Sequence, residues 1–138
     1  MSLFGKRRKL SERELGDPDW DNVAQYLQPG EQRIDACSGW SVGEGVDHPC
    51  AVYLTDRAIY VDVRPDASLT GFETIIIPFK EMARCAVQAG PSGSPRMVAV
   101  SMPEGSENPE DARGVAVDLR PESDARRFAQ EIAQHAER

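Results

Sequence analysis

Lysine is almost missing from this chain of 138 residues, which holds only Lys6, Lys9 and Lys80. No run approaches the roughly 18 apolar residues that cross a bilayer. The basic start Lys6-Arg7-Arg8-Lys9 runs into Ser11-Glu12-Arg13-Glu14 rather than into the apolar stretch of a signal peptide. Cysteine is scarce too: Cys37, Cys50 and Cys85 are odd in number and include no C-x-x-C pair, which excludes a disulfide framework. Three reduced thiols and a cytoplasmic setting are expected. Positive charge is short overall. The net charge is −7 even with the four cations of residues 6–9 included, so the body is strongly acidic, a poor match for nucleic acid. Arginine far outnumbers lysine, the bias a GC-rich bacterial genome produces.

What is present reads as one domain of ordinary size, residues 17–138, behind a charged tail of residues 1–16. The central stretch is Cys50 to Val63. Val52 and Leu54 share one parity, and Ile59, Val61 and Val63 share one parity after a polar turn at Thr55-Asp56-Arg57. This is how two half-buried strands of a hairpin are written, and Asp and Thr can close the turn by bonding nearby backbone N–H groups.

Upstream, Asp17-Pro18 opens a predicted short helix in which Trp20, Val23, Ala24 and Leu27 form one face, ended by Pro29-Gly30. A strand follows over about 31–40, with Ile34 and Ala36 opposite in parity to Asp35 and Cys37. A glycine-punctuated loop then runs through Gly39, Gly43 and Gly45 to Pro49. Downstream come a polar connection over 64–71 and a strand over 72–79 that Ile75-Ile76-Ile77 make apolar on both faces. A turn and short strand over 80–88 lead to a Gly/Pro loop over 89–95. A strand over 97–102 carries Val98, Val100 and Met102 on one side, and an acidic loop over 103–113 precedes a strand with Val115, Val117 and Leu119 on one face. The chain closes with an amphipathic helix from about Pro121, its stripe formed by Ala125, Phe128, Ala129, Ile132, Ala133 and Ala136. The class is mainly β with α, and such regular strand spacing suggests a sandwich or barrel with the last helix over one open end.

Leu27-Gln28-Pro29-Gly30-Glu31, Leu54-Thr55-Asp56-Arg57 with Tyr60, Ile77-Pro78 and the Phe128…Ile132 helix, in that order and spacing, resemble the bacterial pleckstrin-homology-like (PH-like, GRAM-related) domains. The resemblance covers roughly residues 20–137. It implies a seven-stranded, strongly bent antiparallel barrel capped by the C-terminal helix, and a scaffold more than an activity. The helix departs from the pattern in offering Phe128 where the family usually buries a tryptophan. Some relatives bind phosphoinositides through Lys and Arg around the first hairpin loop. Here that loop, Gly39 to His48, has neither, and Glu44 and Asp47 repel phosphate.

No constellation carries chemistry. Asp47-His48-Pro49-Cys50 offers three ligand types, but Pro49 limits their convergence and no second cluster completes a metal site. A nucleophilic pairing of Cys37 or Cys50 with His48 or His135 lacks a third, orienting group. Glu107, Glu110 and Asp111 sit in a Pro-rich loop where nothing splits their pKa values. The expectation is therefore no enzyme, no metal and no cofactor, but an interaction module that binds a protein partner or self-associates. Trp40 and Val42 are its candidate contacts, being large apolar groups in an expected loop. The alternative is a peripheral adaptor at the inner face of the cell membrane, using Phe4, Lys6, Arg7, Arg8 and Lys9 against anionic lipid.

Overall fold

The computed structural model describes residues 17–42, 47–63, 73–91 and 93–137. Seven antiparallel strands follow one another: β1 (Arg33–Val42), β2 (Asp47–Thr55), β3 (Ala58–Val63), β4 (Glu73–Pro78), β5 (Met82–Ala89), β6 (Pro95–Ser101) and β7 (Arg113–Arg120), before a helix α1 (Glu122–His135). They form one sheet in the order β4-β3-β2-β1-β7-β6-β5. That order forces curvature. A flat seven-stranded sheet separates its edge strands by about 29 Å at about 4.8 Å per strand. Yet the edges β4 and β5 are joined only by the turn Phe79–Glu81, which spans at most about 14 Å. The sheet therefore curls until its two edges meet at that corner.

Inside the curl lies the main core: Cys37, Val52, Leu54, Ile59, Val61, Ile77, Cys85, Met97, Ala99, Val117 and Leu119, with Ala125, Phe128, Ile132 and Ala136 of α1 packed against them. The expected stripe of α1 docks as drawn, except that Ala133 faces solvent. Arg127 fastens the helix to β1, donating to both Asp35 carboxylate oxygens at 2.9 and 3.0 Å and to the Ala36 carbonyl at 3.2 Å. Among the described residues no helix is long and apolar enough to cross a membrane.

Several expectations are corrected. The N-terminal element is not an α-helix but two 3₁₀ turns, Trp20–Asn22 and Ala24–Tyr26, capped by Asp19 rather than Asp17. So short a segment is marginal as an α-helix. The i, i+3 spacing of a 3₁₀ turn sets Trp20 and Val23 on one side, where they dock with Leu27, while Ala24 is exposed. Parity fails in β1 because a register shift between Arg33 and Asp35 turns Ile34 to the same core as Cys37. In β6 the inward face is Met97 and Ala99, while Val98 and Val100 share the other side and are half-buried. The alternation there was apolar on both sides, so parity could not choose. Ile76 points outward and is 40% exposed. The connection over 64–71 and the tail lie outside the described residues.

The hairpin β2–β3 is not half-buried: every residue of 50–55 and 58–63 is buried. Its second face, Ala51, Tyr53, Ala58 and Tyr60, is covered by Val23, Trp20 and Leu27 of the arm formed by residues 17–31. Tyr53 donates its hydroxyl to the Asp19 carbonyl and accepts from the Asp19 N–H, both at 3.0 Å. Its ring lies 5.0 Å from that of Trp20.

Glu31 closes the arm. It accepts from the Thr55 hydroxyl at 2.5 Å, the Tyr60 hydroxyl at 2.7 Å and the Gln28 N–H at 2.9 Å. Beside it Arg57 donates to the Gln28 side chain, and the Asp56 carboxylate accepts from the Gln32 N–H at 2.9 Å. Burial works against the Glu31 charge, but the bonds from Gln28, Thr55 and Tyr60 outweigh it and the repulsion from Asp56, holding its pKa below the usual 4.5.

Two outcomes follow. Phe128→Ala lowers stability by about 3–5 kcal/mol in denaturant unfolding, from lost transfer energy plus a cavity; an unmoved midpoint contradicts the docking of α1. Because the Glu31 pKa is lowered on folding, its contribution is complete above pH 4.5 and disappears as pH falls through the native value. Thermal melts of wild type and Glu31→Gln therefore differ near neutral pH and converge in acid, and a pH-independent gap contradicts the ionised bridge.

Candidate functional site

The expected contact residues Trp40 and Val42 belong to β1, not to a loop, and both are half-buried. The ladder between β1 and β2 continues through Trp40 opposite Pro49 and Ser41 opposite His48 to Val42 opposite Asp47. The two strands therefore take up most of the expected loop, and residues 43–46 lie outside the described residues. Gly39 misled the sequence reading. It is a strand residue chosen for close approach, since a Cβ there would meet the Asp118 carbonyl oxygen at 2.5 Å and Val117 Cγ1 at 2.7 Å.

Cys37, Gly39 and Ser41 alternate with Trp40 and Val42 along β1, and Cys37 belongs to the main core. Trp40 thus stands on the outer face of the sheet, between Pro49 of β2 and Asp118 of β7. Asp118 is engaged from the other side by Arg96 of β6, which donates to its two oxygens at 2.6 and 3.1 Å. That bond, opposed by burial and helped by the charges of Asp118 and Asp47, raises the Arg96 pKa. The half-buried indole thus lies beside a charged pair on the outer face of the sheet.

The remaining candidates separate. Along β2 the side chains alternate, so Asp47 and Pro49 point away from His48 and Cys50. Among the described residues no three of His, Cys, Asp and Glu gather into a metal site. His135 lies exposed on α1, 3.4 Å from Glu131. All three cysteines are buried thiols. Burial, aided by Asp124 and Asp35 against bonds and charge from Arg120 and Arg127, pushes the Cys37 pKa up to about 12. Glu107, Glu110 and Asp111 are exposed around a 3₁₀ turn capped by Asn108. Phe4, Lys6, Arg7, Arg8 and Lys9 lie outside the described residues.

Sequence reasoning missed the Glu31 bridge, the Arg96–Asp118 pair and the Arg127–Asp35 pair. Only the first left a signal, in the Pro29-Gly30-Glu31 and Thr55-Asp56-Arg57 motifs. The two ion pairs join residues 22 and 92 positions apart, and their spacing carries no pattern.

No family model matches the chain, and no curated protein does. Solved structures do match. One is the hSac2 domain from human phosphoinositide phosphatase Sac2, with a TM-score of 0.56 and 13% identity over 91% of this chain and 80% of that one. At that identity the likeness establishes the fold alone: one sheet of seven antiparallel strands with a C-terminal helix.

A thiol of pKa about 12 is ionised in roughly one molecule in 10⁴ at pH 8. Native protein at that pH is therefore expected to resist a thiol reagent, and denatured protein to react at three sites per chain. Rapid native labelling of Cys37 contradicts its burial.

Proposed function

We propose that the chain is a non-enzymatic interaction module, of the bacterial PH-like, GRAM-related kind, that works in the cytoplasm by binding a protein partner or a second copy of itself. The observation that carries this reading is the position of Trp40. A large indole stands half-buried on the outer face of β1, on the same face as Val42 and beside the Arg96–Asp118 pair. Tryptophan supplies more binding energy per residue than almost any other side chain at an interface. Arg96 of β6, which lies across Asp118 from Trp40, is already committed to that carboxylate rather than to a phosphate. Affinity capture from native lysate tests it with wild type and Trp40→Ala in parallel. The expected result is a defined protein held by wild type and lost by the variant. Identical capture by both contradicts the assignment.

A second reading is favoured by two facts: the similar solved domain comes from a phosphoinositide phosphatase, and Lys6, Arg7, Arg8 and Lys9 stand together beside Phe4. In it the tail holds the module weakly against anionic lipid, each cation contributing about 1 kcal/mol within a Debye length of about 8 Å. Vesicle co-sedimentation decides it. Binding to anionic vesicles that is lost on removal of residues 1–9 and at high salt supports the tail, and equal binding by the truncated protein rejects it.

A further inference from the structure

The two edges of the sheet are unlike. β5 is blunted in the ways natural edges usually are, by a register shift between Met82 and Arg84 and by exposed Arg84 and Gln88. β4 carries only Pro78 at its end: it has no bulge, it pairs with β3 in unbroken register, and its centre is Thr74-Ile75-Ile76-Ile77. Among the described residues no strand pairs with its other side. Ile76 is one of two large hydrophobic side chains exposed among the described residues.

The ladder fixes which backbone groups face outward. Phe79 N–H donates to the Arg57 carbonyl at 2.8 Å, which continues the β3–β4 register by one pair and makes it a hydrogen-bonded one. Pairs alternate in an antiparallel ladder. Ile77 and Ile75 therefore direct their N–H and C=O groups to β3, while Pro78, Ile76 and Thr74 direct theirs to the open edge. Pro78, which has no N–H to offer a neighbouring strand, falls at an outward position, where proline is tolerated.

We propose that β4 is a self-complementary edge through which two copies of this chain pair antiparallel about a two-fold axis at Ile76. This rests on the reading of the chain as an interaction module and names the surface and the partner. The argument for a second copy is the pattern itself. Reversal about Ile76 sets Ile76 against Ile76, Ile75 against Ile77 and Thr74 against Pro78, so each isoleucine meets only isoleucine. The outward groups match as well: the Ile76 N–H and C=O groups exchange two bonds across the axis, and each Thr74 N–H finds a Pro78 carbonyl. The contact is isologous and closes at two. A five-residue strand buries much less than the roughly 1,200 Å² of a stable interface, and each copy carries a net charge of −7. The dimer is accordingly transient, and it tightens when salt screens the repulsion.

Sedimentation equilibrium from about 10 μM to about 1 mM, a range suited to weak association, is the test. Wild type is expected to shift from monomer to dimer mass, more completely at high salt, and Ile76→Lys to stay monomeric. Because Ile76 is 40% exposed, the variant keeps the fold, which its far-ultraviolet circular dichroism checks. Amide exchange gives a second readout on unaltered protein: Thr74 and Ile76 gain protection as concentration rises, while Ile75 and Ile77, already bonded to β3, do not change. Mass that stays monomeric, assemblies larger than two, a dimer that survives Ile76→Lys, or protection independent of concentration each overturns the proposal. Trp40→Ala is expected to leave the dimer intact. A dimer dissolved by Trp40→Ala instead moves the interface to β1, so the two surfaces fail separately.

Discussion

One carboxylate, Glu31, ties the N-terminal arm to the β2–β3 hairpin. The hydroxyls of Thr55 and Tyr60 are 0% and 3% exposed as residues, and a buried hydroxyl without a partner costs about 1–3 kcal/mol. Glu31 supplies the acceptor for both and uses its other oxygen on the Gln28 N–H. Thr55 in turn accepts from the N–H groups of Arg57 and Ala58 at 3.1 and 3.0 Å, which shapes the hairpin turn. The turn, the end of the arm and the start of β1 therefore form one hydrogen-bonded unit. With the arm held down, Val23 is 0% exposed and the aromatic face of the hairpin is covered. Burial and Glu31 push the Tyr60 pKa upward, so its phenol remains a donor throughout the physiological range.

Much of this fold was legible because parity and helical spacing report burial directly. Val115, Val117 and Leu119 fall inward, and Phe128 and Ile132 dock, because only one face of β7 or α1 was apolar enough to bury. Where both parities were apolar, as in Met97 to Met102, the sequence held no preference, and the curl of the sheet made the choice. Gly39 showed the other failure. A glycine inside an alternating run signals either a turn or a close approach, and only the position of Asp118 and Val117, nearly eighty residues on, tells which. The arm was misjudged because docking of Trp20, Val23 and Leu27 dictated its winding more than its own capping signals did. The resemblance carried by Pro29-Gly30-Glu31 and Thr55-Asp56-Arg57 led to the right sheet. Its motifs are the two sides of the Glu31 bridge, so what is written twice in sequence is one interaction in space.

The candidate surfaces were less legible, and for a physical reason. An interface residue is recognised by being apolar and uncovered, and the second property belongs to the whole fold. Trp40 was singled out as a loop residue and stands instead on a strand, where its neighbours hold it rigid. The strand of Ile76 read as apolar on both faces, because three isoleucines in a row carry no parity. Only the place of Ile76 on the outer face of an edge strand leaves it exposed. Both proposed surfaces lie on strands of the sheet.

The dependence of the fold on Glu31 is tested most directly by a double-mutant cycle with Glu31→Gln and Tyr60→Phe, read as unfolding free energy at neutral pH. A bridge that joins arm to hairpin gives a coupling above about 1 kcal/mol, because either change alone already breaks the charged bond. Additive effects of the two substitutions contradict it, and would leave the arm to the packing of Trp20, Val23 and Leu27 and the Tyr53–Asp19 bonds.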